Sequence, residues 1–314
     1  MGEGGNPGMM GFINVYKEPG QTSHDVVGVV RRIISMAYPA GAKVRVGHCG
    51  TLDPAAEGVL VVCVGRATKL ADYVGEGEKC YRAILKLGQT SDTQDSTGQI
   101  LSHCDVRCSK QDVAGVVESF TGDIEQLPPM YSAVKVGGKK LYELARRGQT
   151  AERKPRRVRI HGIKIMEFLD DTSCVIEVHC SRGTYIRTLC ADIGERLGCG
   201  GLMGGLVRTS SGVFDIRKAI KLSELEELAH MQGFERALVT VEEALALPEA
   251  VVAKEAAKAL VNGRDISEKL LVLAPAKPHP GMRVLIRGHD GVLAGLHEYR
   301  GQMGSMQLRQ KVKL

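Results

Sequence analysis

Several things are missing from the 314-residue sequence, and each absence removes a class of protein. There is no GxxxxGK[ST] phosphate loop. Gly75-Glu76-Gly77 is followed by Cys80 where a GxGxxG would need glycine, and the glycine-rich run at 198–205 follows a helical pattern rather than a strand. That is the wrong context for a dinucleotide fingerprint, so the expected chemistry uses no cofactor. No Cys-x-x-Cys occurs among the nine cysteines, and the close pairs Cys104/Cys108 and Cys174/Cys180 lack His or Cys partners at zinc-site spacing. No metal site is expected, and the cysteines read as free thiols of a reducing compartment. The apolar run from Val59 to Val64 is far shorter than the roughly 20 residues that span a bilayer. The opening MGEGGNPGMM has neither the basic nor the apolar region of a secretory signal, and Asn6 stands where a myristoylation signal wants Ser or Thr. A flexible tail over 1–10, no membrane contact and a cytoplasmic location are the expectations.

What is present is an ordinary globular composition, 43% hydrophobic and 25% charged, at about twice the length of a typical domain. The net charge of +6 is unevenly spread. Between Lys135 and Lys164, eleven basic residues against Glu143 and Glu152 leave +9, so the rest of the chain sums to −3. One basic patch on a slightly acidic body points to a polyanionic partner.

The pattern along the chain predicts an α+β fold. Phe12–Lys17 reads as a strand, and Thr22 or Ser23 caps a helix with Val26, Val27, Val30, Ile33 and Ile34 on one face. Ser23-His24-Asp25 holds the letters of a hydrolase triad, but neighbours at a helix start point in different directions, and capping is the better account. Strands are expected at Val59–Val64, at 79–88 with Tyr81, Ala83, Leu85 and Leu87 on the apolar face, at 157–168 and at Ser173–Cys180. A helix follows over 184–197, and 222–247 reads as helical up to Pro248. Strands and helices are mixed without regular βαβ alternation, which favours α+β over a doubly wound sheet. Beyond 248 the texture turns to short β pieces, and His289-Asp290-Gly291 between 282–287 and 292–296 predicts a hairpin closed by a primed turn. The expected division is a domain at 11–247 and a small β-rich domain at 248–314.

Four residues could carry chemistry. Asp53 lies in the loop Val46-Gly47-His48-Cys49-Gly50-Thr51-Leu52-Asp53-Pro54, where glycines let backbone approach a ligand; the plainer reading makes it a helix N-cap before Pro54. Arg187 sits in the first turn of a helix, where a cation opposes the macrodipole and a nearby carboxylate would relieve it. Tyr81 reads equally as a core residue, and His48 as a loop residue or a contact for a ring or phosphate.

Together, Lys17-Glu18-Pro19-Gly20-Gln21-Thr22-Ser23, Gly47-His48-Cys49-Gly50-Thr51-Leu52-Asp53-Pro54, Lys79-Cys80-Tyr81-Arg82, the stretch GDIEQLPPMYSA at 122–133, Ser181-Arg182-Gly183-Thr184-Tyr185-Ile186-Arg187-Thr188-Leu189 and Leu206-Val207-Arg208-Thr209 resemble, in order, the TruB family of RNA pseudouridine synthases. The resemblance covers about 11–215 and implies a mixed-sheet catalytic domain with a PUA-like RNA-binding domain behind it. It implies isomerisation of a uridine in RNA, most closely uridine-55 in the T-loop of tRNA. Asp53 would be the nucleophile, Arg187 its ionic partner, and Tyr81 the ring on the flipped base, also implicated in proton abstraction. Tyr185 and Leu206 would line the uracil pocket, and His48 would touch RNA where the base leaves the stack. Lys17 matches a further binding position, while Lys139, Lys140 and Arg146 lie in the family's RNA-gripping insertion, here about 127–160. The expected partner is the T-arm of tRNA, bound by a monomer without an obligate protein partner. A tRNA-folding module that does not depend on isomerisation, or a guide-directed synthase acting on ribosomal RNA, are the other readings.

Overall fold

A computed structural model describes residues 9–38, 44–132, 134–145, 147–301 and 306–314, without the side chains of Lys135 and Lys140. Its centre is a mixed sheet of nine strands among the described residues. The main path runs Gly11–Lys17, Glu57–Val64, Gly201–Ser211, Lys79–Leu87, Ser173–Cys180, Arg156–Phe168, Gly122–Gln126. Neighbours along this path are antiparallel except for one short joint, where Val207 pairs with Glu57 and Arg208 with Gly58 in parallel. This is the α+β arrangement that the irregular order of elements implied.

The run from Val59 to Val64 is apolar at every position because both faces of its strand are covered. Leu60, Val62 and Val64 pack with Val26, Val30, Ile33 and Ile34 of the helix Ser23–Ala37 and with Leu189 and Ile193 of the helix Ile186–Arg196. Val59, Val61 and Cys63 face the other way, onto Phe12, Leu285, Leu293 and Leu296. Those leucines belong to a second sheet of six strands, ordered Ile266–Ser267, Gln307–Lys313, Leu293–Arg300, Arg283–Arg287, Glu249–Val252, Leu271–Leu273. The helix Ser23–Ala37 starts at a capping box in which Thr22 and Asp25 satisfy each other's backbone amides. Met9, placed in the tail on sequence, is buried in the core; residues 1–8 lie outside the described residues.

Two expectations on element shape are corrected. The stretch 222–247 is not one helix: Leu222–His230 ends where Gln232 takes a left-handed φ of 55°, a 3-10 turn covers Phe234–Ala237, and Thr240 caps a new helix, Val241–Leu245. The hairpin between Arg283–Arg287 and Leu293–Arg300 forms, but not through a primed turn at Asp290-Gly291. Gly291 alone has positive φ (78°), and its amide donates to the Gly288 carbonyl, so the loop is one residue longer with a glycine bulge. The turn with two consecutive positive φ values is Gly137-Gly138 (58° and 82°), joining Lys135–Val136 to Lys139–Lys140. Among the described residues no helix is long and apolar enough to cross a membrane.

Candidate active site

Three separated sequence segments fix the loop that carries Asp53. The chain leaves the strand Val46–His48, and the Ala56 amide donates to the Asp53 carbonyl (3.1 Å), closing a turn with Pro54 at its second position. No helix follows, so the N-cap reading of Asp53 fails. From below, Lys17 Nζ donates to the carbonyls of Ala56 (2.6 Å), Pro54 (3.1 Å) and Glu18 (3.1 Å). Ser23 Oγ accepts from the Leu52 amide (2.9 Å) and donates to the Leu52 carbonyl (3.0 Å). Arg208 donates from Nε to the Val59 carbonyl (2.7 Å), and its terminal nitrogens reach the carbonyls of Thr51 (3.3 Å) and Gly50 (3.2 Å). Gly58 must be glycine at this joint: its φ is +101°, and a Cβ there would lie 2.3 Å from the Arg208 carbonyl oxygen.

Lys17 is fully buried, with its amine held by these carbonyls. Lys17 therefore supports the Asp53 turn from below and is not among the residues that line the cavity at Asp53. Burial lowers its pKa to about 8, against the opposing pull of Asp53.

Arg187 supplies the ion pair. Its terminal nitrogen is 3.0 Å from Asp53 Oδ2; the arginine is 6% exposed, while 39% of the aspartate side chain stays open. The guanidinium also donates to the carbonyls of Thr93 (3.2 Å) and Tyr131 (2.9 Å), and its Nε lies 3.8 Å from Asp95 Oδ2. Two carboxylates thus relieve a cation placed at the positive end of a helix. Asp95 is itself held, accepting from Thr93 Oγ1 (2.7 Å), Thr97 Oγ1 (2.6 Å) and the Thr97 amide (3.0 Å). Its loop is stitched to the strand Gly201–Ser211 through Met203, whose amide donates to the Gln94 carbonyl and whose carbonyl accepts from Ser96.

Tyr81 lies in the central strand, directly across from Arg208, and is 7% exposed. Burial pushes its phenol pKa up; the Arg208 charge, within hydrogen-bonding reach, pulls the other way. Tyr185 is the N-cap of the helix Ile186–Arg196, and its peptide is gripped at both ends by the buried side chain of Gln126: amide to Oε1 (2.9 Å), carbonyl from Nε2 (3.2 Å). Asp53, Tyr81, Tyr185, Leu206, Arg187 and Arg208 converge on one cavity of about 290 Å³, the lower end of the usual size for a small-ligand pocket.

Of the remaining sequence candidates, His48 and Lys139 are not among the residues that line this cavity. His48 is half-buried on its short strand, with burial lowering its pKa and no partner for Nδ1 among the described residues. Lys139 is exposed on a two-residue strand. Arg146 and the Lys140 side chain lie outside the described residues. Within the basic window, Arg157 and Arg159 both face Asp123 (3.0 and 3.8 Å), Lys164 pairs with Glu177 (3.1 Å), and Arg153 donates to the Pro128 carbonyl. Sequence reasoning passed over Asp95 and Thr93, and it noted Gln126 and Arg208 only inside motifs. The dense hydroxyl and carboxylate run Ser91-Asp92-Thr93-Gln94-Asp95-Ser96-Thr97 was the available signal for the first two.

Comparison with known proteins bears on this arrangement. A model of the TruB family pseudouridylate synthase N-terminal domain matches residues 36–186, and one of the tRNA pseudouridylate synthase B C-terminal domain matches 187–246. The division between the two matches falls inside the site, between Ile186 and Arg187, so both contribute strands to a single sheet. A curated tRNA pseudouridine synthase B of Alkaliphilus oremlandii is 45% identical over 84% of this chain and 85% of its own. The protein of that name from Lachnoclostridium phytofermentans is 43% identical over 93% and 95%. Among solved structures, the crystal structure of a Cbf5-Nop10-Gar1 complex superposes with a TM-score of 0.73 at 26% identity, covering 97% of this chain and 84% of that one. With a paired Asp53 and Arg187 in a cavity closed by Tyr81, and with relatives of this identity over most of its length, the chain belongs to the TruB family of pseudouridylate synthases.

Proposed function

We propose that the chain converts a uridine of tRNA, uridine-55 in the T-loop, to pseudouridine. The observation that carries this is the carboxylate of Asp53, open to the cavity and 3.0 Å from a guanidinium that is itself buried. The ion pair fixes the direction of the carboxylate while leaving it open to an incoming substrate, as a nucleophile needs. The target nucleotide must leave its stack to reach a cavity of this depth. Asp53 attacks the flipped uridine, the C1′–N1 bond breaks, and the uracil turns within the pocket. C5 then bonds to C1′ and displaces the Asp53 carboxylate from it, the C5 proton departs and N1 takes one up, so the enzyme is regenerated and the product is an isomer. Tyr81 and Leu206 bracket the base. Burial keeps the Tyr81 phenol protonated, so accepting the C5 proton would rely on Arg208 to stabilise the phenolate. The relatives at 41–45% identity carry the name tRNA pseudouridine synthase B, which favours a tRNA substrate over a guide-directed one.

The six-stranded sheet serves as a PUA-like RNA-binding unit over 248–314, behind a catalytic unit at 11–247, and the protein works as a cytoplasmic monomer. The test is tritium release from a tRNA transcript labelled at C5 of uridine. Release is expected from the normal transcript and none from one with cytidine at position 55. Equal release from both would overturn the choice of site, and none from either would overturn the activity.

A further inference from the structure

The turn at 75–79 has more contacts than its length explains. Lys79 Nζ, 6% exposed, holds it from beneath by donating to the carbonyls of Gly75 (2.8 Å) and Gly77 (2.5 Å). Gly77 admits no side chain, because a Cβ would stand 2.8 Å from the Gly212 Cα. The residue between them, Glu76, is thereby directed to one place, and each of its carboxylate oxygens meets a different arginine. Oε1 lies 3.4 Å from Arg182, and Oε2 lies 2.5 Å from Arg283. Arg283 opens a strand of the six-stranded sheet and is steadied on its other side by the Tyr73 ring, 5.0 Å away. Arg182 lines the cavity that holds Asp53 and Tyr81.

Arg187 and Arg208 are buried and committed to carbonyl and carboxylate partners, whereas the Arg182 side chain is 62% exposed at the mouth. A nucleotide flipped into the cavity leaves its flanking phosphates at that mouth, where an exposed guanidinium can take them up. Arg182 stands on the short turn Ser181-Arg182-Gly183, with Gly183 at φ +84°, and its ion pair with Glu76 holds the exposed side chain in one direction. Resting on the tRNA reading above, we infer that Glu76 is a positioning residue: it aims Arg182 at the substrate phosphate, and Arg283 braces it from the six-stranded sheet. The second sheet therefore acts on the catalytic cavity through an Arg–Glu–Arg chain as well as through any RNA it holds itself.

The sign of one effect separates this from plain electrostatics. Removing a carboxylate from an RNA-facing rim should tighten RNA binding if charge alone matters. Positioning demands the reverse. In steady-state tritium release with the full chain, Glu76→Gln is expected to raise KM about fivefold with kcat within about twofold, a coupling of ordinary size. Arg182→Gln should raise KM at least as much, and the double variant should be no worse than Arg182→Gln alone. Arg283→Gln leaves Glu76 and Arg182 in place, so it reports the same coupling if Glu76→Gln fails to fold. It should raise KM about twofold, by the same coupling logic, and have no effect in the Arg182→Gln background. Unchanged or lower KM in Glu76→Gln, or effects of Glu76 and Arg182 that multiply, would overturn the inference while leaving the wild-type activity, and hence the functional reading, intact. An inactive wild type would overturn both.

Discussion

Positive charge is used in two different ways in two regions of the molecule. Beneath the cavity, Lys17, Arg187 and Arg208 are 0%, 6% and 1% exposed, and each is ringed by carbonyls or carboxylates. In the basic window, Lys139 and Arg147 stand in solvent, and Arg157, Arg159 and Lys164 lean on acids that lie outside the window. The buried cations hold backbone in place, since each gathers carbonyls that would otherwise be desolvated without donors. The exposed ones build a field, and part of that field is cancelled locally. A count of +9 from sequence therefore overstates the free charge, because Asp123 and Glu177 come from neighbouring strands. Position, more than number, decides what a basic residue does.

Substitutions can break or sharpen this contrast. The largest effect is expected at the carboxylate that the buried cations present: Asp53→Asn should lower tritium release by at least about a thousandfold, with tRNA binding kept within about tenfold. Retained turnover would mean that the buried scaffold serves something other than Asp53. Next, Arg208→Gln should cost about 3–5 kcal/mol in urea unfolding, the usual penalty for breaking a buried charged network, and should lower activity through the Asp53 loop. A loss under about 1 kcal/mol, the size of an exposed pair, would place Arg208 with the surface cations. In the window, Lys139→Glu with Arg147→Glu should weaken binding of every tRNA about tenfold and lower the slope of log K against log salt by about 2. An unchanged slope would put the RNA path elsewhere.

A pH experiment probes a third case, a buried group that carries no charge. His297 is fully buried in the second sheet with neither ring nitrogen hydrogen-bonded among the described residues, and burial lowers its pKa to about 4. Its folded pKa lies below the unfolded value of 6.5, so between those values the unfolded chain binds a proton that the folded chain refuses. Stability is then complete above pH 6.5 and falls as pH drops towards 4, and the urea midpoint should follow this while His297→Gln flattens it. The smallest effect is expected at Arg157→Gln, within about 0.5 kcal/mol by thermal unfolding, because its partner Asp123 is shared and both are exposed.

The contrast also explains what the sequence made legible. Strands declare themselves through period: alternation marks Lys79–Leu87, and the unbroken apolar run marks a strand covered on both faces. Asp53, Tyr81 and Arg187 stood out because they sit in distinctive motifs. Asp95 did not, and nothing within its motif singled out Gln126, because their partners, Arg187 and Tyr185, lie 92 and 59 positions away and such contacts leave no periodic trace. The support that Lys17 gives the turn was not legible for a related reason, since a lysine reads as exposed until three carbonyls are brought to it. In the turns, Asp290-Gly291 matched a rule that Gly137-Gly138 obeys, and the extra residue in the 289–291 loop made the difference.

The short parallel joint of Glu57 and Gly58 with Val207 and Arg208 has a consequence for how the protein is made. A ribosome releases the chain in order, and the segment bearing Asp53 emerges about 150 residues before the strand that braces it. Until then the loop has Lys17 and Ser23 but lacks both Arg187 and Arg208, and the edge of the long apolar strand that later meets residues 207–208 is paired only at its far end, by Val46–His48. Closing such a distant contact is slow compared with forming local hairpins. The cavity is thus among the last parts of the molecule to be assembled, and a truncated chain ending before residue 208 would hold Asp53 in a loop without its brace.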